Sequence, residues 1–305
     1  MYDGNMNKIL ARVRNKLFDL TSSSSGSLYG IKQVKRGILP SSAQFPVITM
    51  TPENEIIRKQ DSGRIHIERQ IKTFIITRDT TSQDIENLRK YADVVHQALR
   101  DDHQLLDANG VPLAYGSVHS TIDYEDRTNS SSMQSIYFTE QCTSPRLVSS
   151  AIKDNSTAND IAKEIYTYLN GYKNTNLRGF KQILKEEWYG LSERAFPSLS
   201  ITTDSETNQE YEAGREQNII VFRLDIKSKI ASASDNILSK HISLTDDVLQ
   251  LLLSNATWNG TCIDSKVEGV QYGTIQNEED MLYASSITLS ALTRHSKPFS
   301  QTSVS

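Results

Sequence analysis

Cysteine is scarce in this 305-residue chain, which carries only Cys142 and Cys262. Two thiols, one in each half, are too few for a disulfide scaffold or a thiolate metal site. Long apolar runs are also missing, since no stretch reaches about 18 residues and the N-terminal MYDGNMNKIL lacks the apolar segment of a signal peptide. We therefore expect a protein of a reducing compartment that neither spans a membrane nor carries an obvious export signal.

The local patterns that usually mark an active site are absent as well. The sequence contains no G-x-S-x-G, P-loop, G-x-G-x-x-G, H-E-x-x-H or C-x-x-C, and its 14 glycines are thinly spread. A formal net charge of -4 gives the chain no overall attraction for nucleic acid. The sequence predicts no catalytic, cofactor-binding or metal-binding residue and no cofactor. It therefore predicts a non-enzymatic role.

A few polar clusters are candidate sites, but their spacing favours ordinary surface. His96 and His103 flank Asp101 and Asp102, but seven residues of helix separate the histidines by about 10 Å, too far to share one ion. The other clusters are carboxylate runs, basic groups and two aromatics: Glu186, Glu187, Glu278, Glu279 and Asp280; Lys32, Lys35, Arg36, Lys181 and Lys185; Trp188 and Tyr189. We expect solvated faces, core packing or subunit contacts from them.

The chain instead contains an internal repeat. Both halves read L-x-G-[IF]-K-Q-[VI], at residues 28–34 and 177–183, an offset of 149. Upstream, one helical face recurs at an offset of 152: Asn7, Ile9, Val13 and Leu17 match Asn159, Ile161, Ile165 and Leu169. Downstream, Phe45-Pro46 and Phe196-Pro197 each precede an alternating apolar segment that predicts a strand.

The repeat continues to the end of each half. Strands are predicted over residues 64–77 in the first half and 215–227 in the second, and a helix follows each strand. The apolar face of the first helix consists of Ile85, Leu88, Tyr91, Ala92, Val95 and Leu99, and that of the second consists of Leu244, Val248, Leu249, Leu252 and Leu253. Two more strands follow, around residues 114–118 and 136–138 or 271–275 and 287–289. Each module should be helix, loop or second helix, strand, strand, helix, strand, strand. This order predicts an α+β fold of two tandem modules, residues 1–147 and 148–305, each with a largely antiparallel four-stranded sheet flanked by helices.

This order of elements resembles the tail-terminator and tail-completion family of tailed bacteriophages. The resemblance is greatest in the second half, where residues 161–169 are similar to the family's first helix and AFPSLSI at 195–201 to its entry into the first strand. The helix around residues 248–253 and the last alternating strand fit the same pattern. Members typically carry one module and form a hexameric ring, so two modules in one chain depart from the family.

The resemblance implies a structural virion protein of the phage neck, a tail terminator that caps the tail tube and joins it to the head connector. Its partners would be other copies in a ring of three, six or twelve chains, the tail tube and sheath proteins and the head connector or adaptor. DNA would at most pass through the lumen, and no membrane would be involved. We expect synthesis in the host cytoplasm and a final location in the neck of the virion.

Three other interpretations stay open from the sequence. One is another virion part with related modules, such as a head-to-tail adaptor or a baseplate protein. A second is an enzyme with a site between the two modules, tested by residues such as His96 or Glu187. The third is a module that binds peptides by strand addition to an exposed sheet edge.

Overall fold

A computed structural model describes residues 6–22, 25–39, 43–59, 64–77, 82–102, 105, 110, 113, 120–125, 131–143, 146–149, 151–185, 195–212, 215–230, 235–276 and 281–296. The elements of the first half are α1 (Met6–Thr21), β1 (Gln33–Arg36), β2 (Val47–Lys59), β3 (Arg64–Ile76), α2 (Ser82–Asp101), β4 (Ser120–Glu125) and β5 (Ser131–Thr143). Those of the second half are α3 (Ala158–Gly171), β6 (Gln182–Leu184), β7 (Ser198–Glu212), β8 (Arg215–Lys229), α4 (Asp235–Ser254), β9 (Asp264–Gln276) and β10 (Met281–Ser296).

The order of elements is the same in both halves, and the fold class is α+β as the sequence predicts. One difference is that a short strand stands where a loop or second helix was expected. β1 pairs in parallel with the start of β2, from Gln33 opposite Val47, and β6 pairs in the same way with β7, from Gln182 opposite Ser198. The described part of each half therefore has five strands rather than four, because the repeated K-Q-[VI] segment finds hydrogen-bond partners beside the strand that follows Phe-Pro.

The helices form where the apolar spacing predicts them. Ile9, Val13 and Leu17 of α1 are buried, and so are Ile161, Ile165 and Leu169 of α3. On α2 and α4 the expected positions Leu88, Ala92, Val95, Leu99, Val248, Leu249, Leu252 and Leu253 are buried, whereas Tyr91 and Leu244 are half-buried. α2 begins at Ser82, and the side chains of Ser82 and Ile85 lie outside the described part.

The strand after each Phe-Pro is long and carries the same irregularity. β2 pairs with β3 in antiparallel fashion, and its register shifts between Pro52 and Asn54. β7 pairs with β8 in antiparallel fashion, and its register shifts between Thr203 and Ser205, at an offset of 151 from the first shift. Both X-Pro bonds, Phe45-Pro46 and Phe196-Pro197, are cis. A β-bulge therefore occurs at the same place in both strands, and the extra residue changes which face of the sheet the following side chains lie on.

The chain folds into two compact units that do not coincide with residues 1–147 and 148–305. The first unit contains Met1–Thr143, Ile230–Ser243 and Gln271–Tyr283. The second contains Ser144–Lys229, Leu244–Val270 and Ala284–Ser305. The first unit therefore incorporates two stretches of the second half, the start of α4 and the region where β9 ends and β10 begins. The boundary between the sequence repeats stays a prediction.

Each unit has a sheet covered by its own helices. In the first unit the strand order is β4-β5-β3-β2, and β9 lies next to β2 on the side away from β3. Its core joins α1, α2 and the sheet with Leu238 and Ile242 of α4 and with Tyr283 of β10. In the second unit the order is β9-β10-β8-β7-β6. No described helix is both long and apolar enough to cross a membrane.

Candidate functional site

The first unit contains a buried ion pair on its sheet. Arg69 of β3 stands in an alternating row of buried isoleucines, and its direct partner across the strands is Glu55 of β2. The Nε atom of Arg69 donates to Oε2 of Glu55 over 3.1 Å, and both residues are 1% exposed. The second carboxylate oxygen, Oε1, accepts a hydrogen bond of 2.7 Å from the Tyr272 hydroxyl of β9.

This cluster has the properties of a structural joint. Burial removes both charges from water, so their attraction must offset a large loss of hydration, and that requires further hydrogen bonds to the carboxylate. Tyr272 supplies one of them from the second half of the sequence. The pair is closed to solvent, which leaves no access for a substrate and assigns the cluster to holding β9 beside β2.

Two other contacts attach second-half residues to the first unit. Asn7 of α1 and Ser239 of α4 bond reciprocally: Asn7 Nδ2 donates to the Ser239 carbonyl over 2.8 Å, and the Ser239 hydroxyl donates to Asn7 Oδ1 over 3.0 Å. The Tyr283 hydroxyl accepts from the Ile38 backbone N–H at 3.2 Å. The start of α4 and the end of β9 pack against the start of α1 and against the part of β2 beyond Met50. We call this part of α1 and β2 the receiving surface.

The equivalent surface of the second unit is exposed. The same offset of 151 that relates the two bulges places Glu206 of β7 at the position of Glu55 of β2. Glu206 is exposed, as are its neighbours from 203 to 208, whereas Glu55 is buried. Asn159 of α3, which matches Asn7 in the repeat, is exposed too. β6 pairs with β7 only as far as Ser200, and beyond it no described strand pairs with the side of β7 that faces away from β8.

The candidate polar clusters do not assemble into a site in the part of the chain that the structure describes. Asp102 Oδ2 lies 3.3 Å from Lys16 Nζ and 3.7 Å from Arg12 of α1, and Asp101 accepts hydrogen bonds from Gln97. Asp102 therefore anchors α2 to α1. His103 lies outside the described residues, and among those described no group of three or more His, Cys, Asp or Glu side chains could hold a metal ion.

The remaining candidates lie on the surface or outside the description. Lys32 and Lys181 are exposed, and Lys35, Arg36 and Lys185 are half-buried. Glu186, Glu187, Trp188, Tyr189, Glu278, Glu279 and Asp280 lie outside the described residues, and so do the side chain of Cys142 and the strand expected at 114–118. Cys262 is fully buried, and burial raises the pKa of its thiol to about 12. A buried thiol that stays protonated is a poor nucleophile, so Cys262 serves as a core residue.

Sequence reasoning missed the Glu55–Arg69 pair. The signal was an arginine inside the alternating apolar residues of β3, with Ile65, Ile67, Ile71 and Ile75 on the same face. A charged residue in such a row needs a buried partner of opposite charge. The partner could not be chosen from sequence, since the bulge in β2 decides which of its glutamates shares that face.

The chain matches no protein-family model and none of the curated proteins.

Proposed function

We propose that the chain is a structural virion protein of the phage neck, a tail terminator that caps the tail tube and joins it to the head connector. The observation that carries the proposal is the repetition of one helix and strand order, with matching registers beside the Phe-Pro segments, in both halves. The resemblance to the tail-terminator family rests on that order.

The described chemistry supports a role that makes and breaks no bonds. Its charged cluster with the deepest burial, Glu55 with Arg69, serves packing, and the thiol of Cys262 is held protonated inside the second unit. A terminator acts by presenting a surface that stops tube growth and docks the head, so interface area and symmetry matter more than a tuned pKa. An exposed strand beyond Thr203 supplies backbone groups for such a contact.

The test is a phage in which an early stop codon removes this protein while the other virion proteins are made. Electron microscopy should show filled heads without tails and tails of irregular length, because tube growth is not capped. Supplying the wild-type chain from a plasmid is the control and should restore joined particles. Joined, infectious particles without the protein would refute the neck role.

Position in the particle separates the alternatives within the virion. An epitope tag on the complementing chain should be found by immunogold at the junction of head and tail, and on free tails made without heads. Label confined to heads would indicate a head-to-tail adaptor. Label at the far tip of the tail would indicate a baseplate component.

A further inference from the structure

The strand orders of the two units are related by the repeat. The first unit runs β4-β5-β3-β2 and the second β9-β10-β8-β7, so β9 is the equivalent of β4 and β7 the equivalent of β2. Inside the first unit β2 is followed by β9. The chain therefore already contains one contact of this kind, in which β2, the last strand of the first strand order, lies beside β9, the first strand of the second.

Two strands remain that could make the same contact. The side of β7 away from β8 is unpaired beyond Ser200, and β4 ends its strand order with β5 as its neighbour, in the part of the chain that the structure describes. An unpaired edge presents backbone N–H and C=O groups that another strand can satisfy. These edges differ from each other, so the contact they favour is head-to-tail rather than self-complementary.

Residues of β7 are exposed at the positions where the equivalent residues of β2 are buried by a neighbouring strand. In β2 the neighbouring β9 brings Tyr272 over Glu55, and Glu55 and Ile57 are buried. In β7 the equivalents by the offset of 151, Glu206 and Asn208, are both exposed. Asn159 is exposed where Asn7 bonds Ser239. Glu55 is covered by Tyr272 of β9, whereas Glu206 accepts a hydrogen bond of 3.1 Å from Asn218 Nδ2 and has no described strand over it.

We infer that a second copy of this chain supplies the missing cover: β4 of the second copy pairs with β7 of the first, and the start of its α2 lies beside α3. Repeating the contact links copies head to tail, and each joint reproduces the internal joint between β2 and β9. Closure of such a row into a ring rests on the proposed neck function, whereas the joint itself rests on the strand order and exposure.

Charge controls when the joint forms. On the exposed part of β7, Asp204 lies 3.6 Å from Arg223 and Glu206 accepts a hydrogen bond from the neutral Asn218 amide, and the sequence of β4 contains Asp123 and Glu125. Like charges on facing strands repel, and salt screens them over a Debye length of about 8 Å at 0.15 M ionic strength. The joint should therefore form more readily as salt increases, and the isolated chain is protected from edge-to-edge aggregation at low salt.

Cysteine pairing between copies tests the joint. The sequence repeat matches residues 114–118 with 271–275, but the observed strands β4 and β9 end at Glu125 and Gln276, an offset of 151 that places Thr121 where Tyr272 stands. In a Cys142→Ser background, Glu206→Cys chains are mixed with Thr121→Cys chains in 0.5 M salt under mild oxidation. A disulfide-linked dimer should appear in the mixture and far less in either variant alone. The control partner is Asn174→Cys, an exposed residue in the turn after α3.

Each outcome decides the inference. A dimer from Glu206→Cys with Thr121→Cys, absent with Asn174→Cys, supports it, as does a solution mass of wild-type chain that rises with salt. Equal linking to both partners, or a monomer at every salt concentration with no linked dimer, would overturn it. Oligomers without the expected disulfide would overturn this joint and leave the neck role standing, since the stop-codon phage tests that role separately.

Discussion

Glu55 and Arg69 face each other across β2 and β3, with 3.1 Å between carboxylate Oε2 and guanidinium Nε and with both side chains buried. Glu55 lies three residues beyond Pro52, and the register of β2 shifts between Pro52 and Asn54. Without the bulge, the alternation of β2 would turn Glu55 to the opposite face of the sheet, away from Arg69. A single inserted residue therefore determines whether this charge is paired.

Removing one member of this pair should strongly destabilise the protein. We expect Arg69→Met to lower the free energy of unfolding by about 3–5 kcal/mol, because the Glu55 carboxylate is left buried beside an apolar side chain. Glu55→Leu combined with Arg69→Met should recover much of that loss. Urea denaturation followed by circular dichroism measures both variants.

The matched control is a more exposed pair on the same two strands. Arg58 and Glu68 lie 3.4 Å apart, and the Arg58 side chain is 63% exposed. Arg58→Met should change stability by less than about 1 kcal/mol. Equal effects at Arg58 and Arg69 would contradict the importance of burial.

The glycines of the repeated motif should tolerate alanine unequally. Gly30 has φ +116°, and a Cβ there would lie 2.5 Å from the Tyr91 hydroxyl. At Gly179 no unusual φ occurs, and the Cβ would meet only the end of the Leu244 side chain, at 2.6 Å. Gly30→Ala should lower the melting temperature more than Gly179→Ala, since a side chain can rotate away and a backbone conformation cannot.

Gly171 provides the comparison for both variants, because a Cβ there meets nothing within 4 Å. Gly171→Ala should leave the melting temperature nearly unchanged. A Gly30→Ala protein as stable as Gly179→Ala would show that the backbone adjusts at Gly30.

Cys262 should resist alkylation in the native protein. Burial raises its pKa from 9.0 to about 12, so almost no thiolate exists at pH 8. In a Cys142→Ser variant, iodoacetamide should modify Cys262 only after guanidinium unfolds the chain, as mass spectrometry will show. The protonated thiol's contribution to stability is complete below about pH 9 and is lost as the pH rises toward 12. Rapid labelling without denaturant would contradict this burial.

The N-terminus of α3 should depend on its capping box. The Thr157 hydroxyl accepts from the Asp160 N–H at 3.2 Å, and Asp160 Oδ2 accepts from the Thr157 N–H at 2.9 Å. The Thr157 N–H, and after it the Thr157 hydroxyl, which donates to the same Oδ2 over 2.7 Å, hold the pKa of Asp160 below its usual value. Thr157→Ala should cost about 1 kcal/mol at pH 7, whereas Thr157→Ser should cost little because it keeps the hydroxyl.

The effect of the cap should weaken in acid. A lowered carboxyl pKa stabilises the fold above the unfolded value of 3.8, and this contribution disappears as the pH falls through the folded pKa. The stability difference between wild type and Thr157→Ala should therefore shrink below about pH 3.8. A difference that stays constant down to pH 2 would show that the Asp160 carboxylate takes no part in it.

Periodicity determined much of the fold in advance. The helical faces of α1 and α3, the two Phe-Pro strands and the α+β class follow from spacings in the sequence, because a helix or strand that buries one face must repeat apolar residues at its own period. The short strands β1 and β6 were missed, since a strand of three or four residues has too few positions to show a period.

Only the tertiary structure decided which segments complete each unit. The sequence predicts modules of residues 1–147 and 148–305, but the first unit draws Leu238, Tyr272 and Tyr283 from the second half. It also decided that Glu55 is buried while Glu206, at the same place in the repeat, is exposed. The physical reason is that burial depends on which strand lies alongside, and a sequence carries the period of a strand but not the identity of its neighbour.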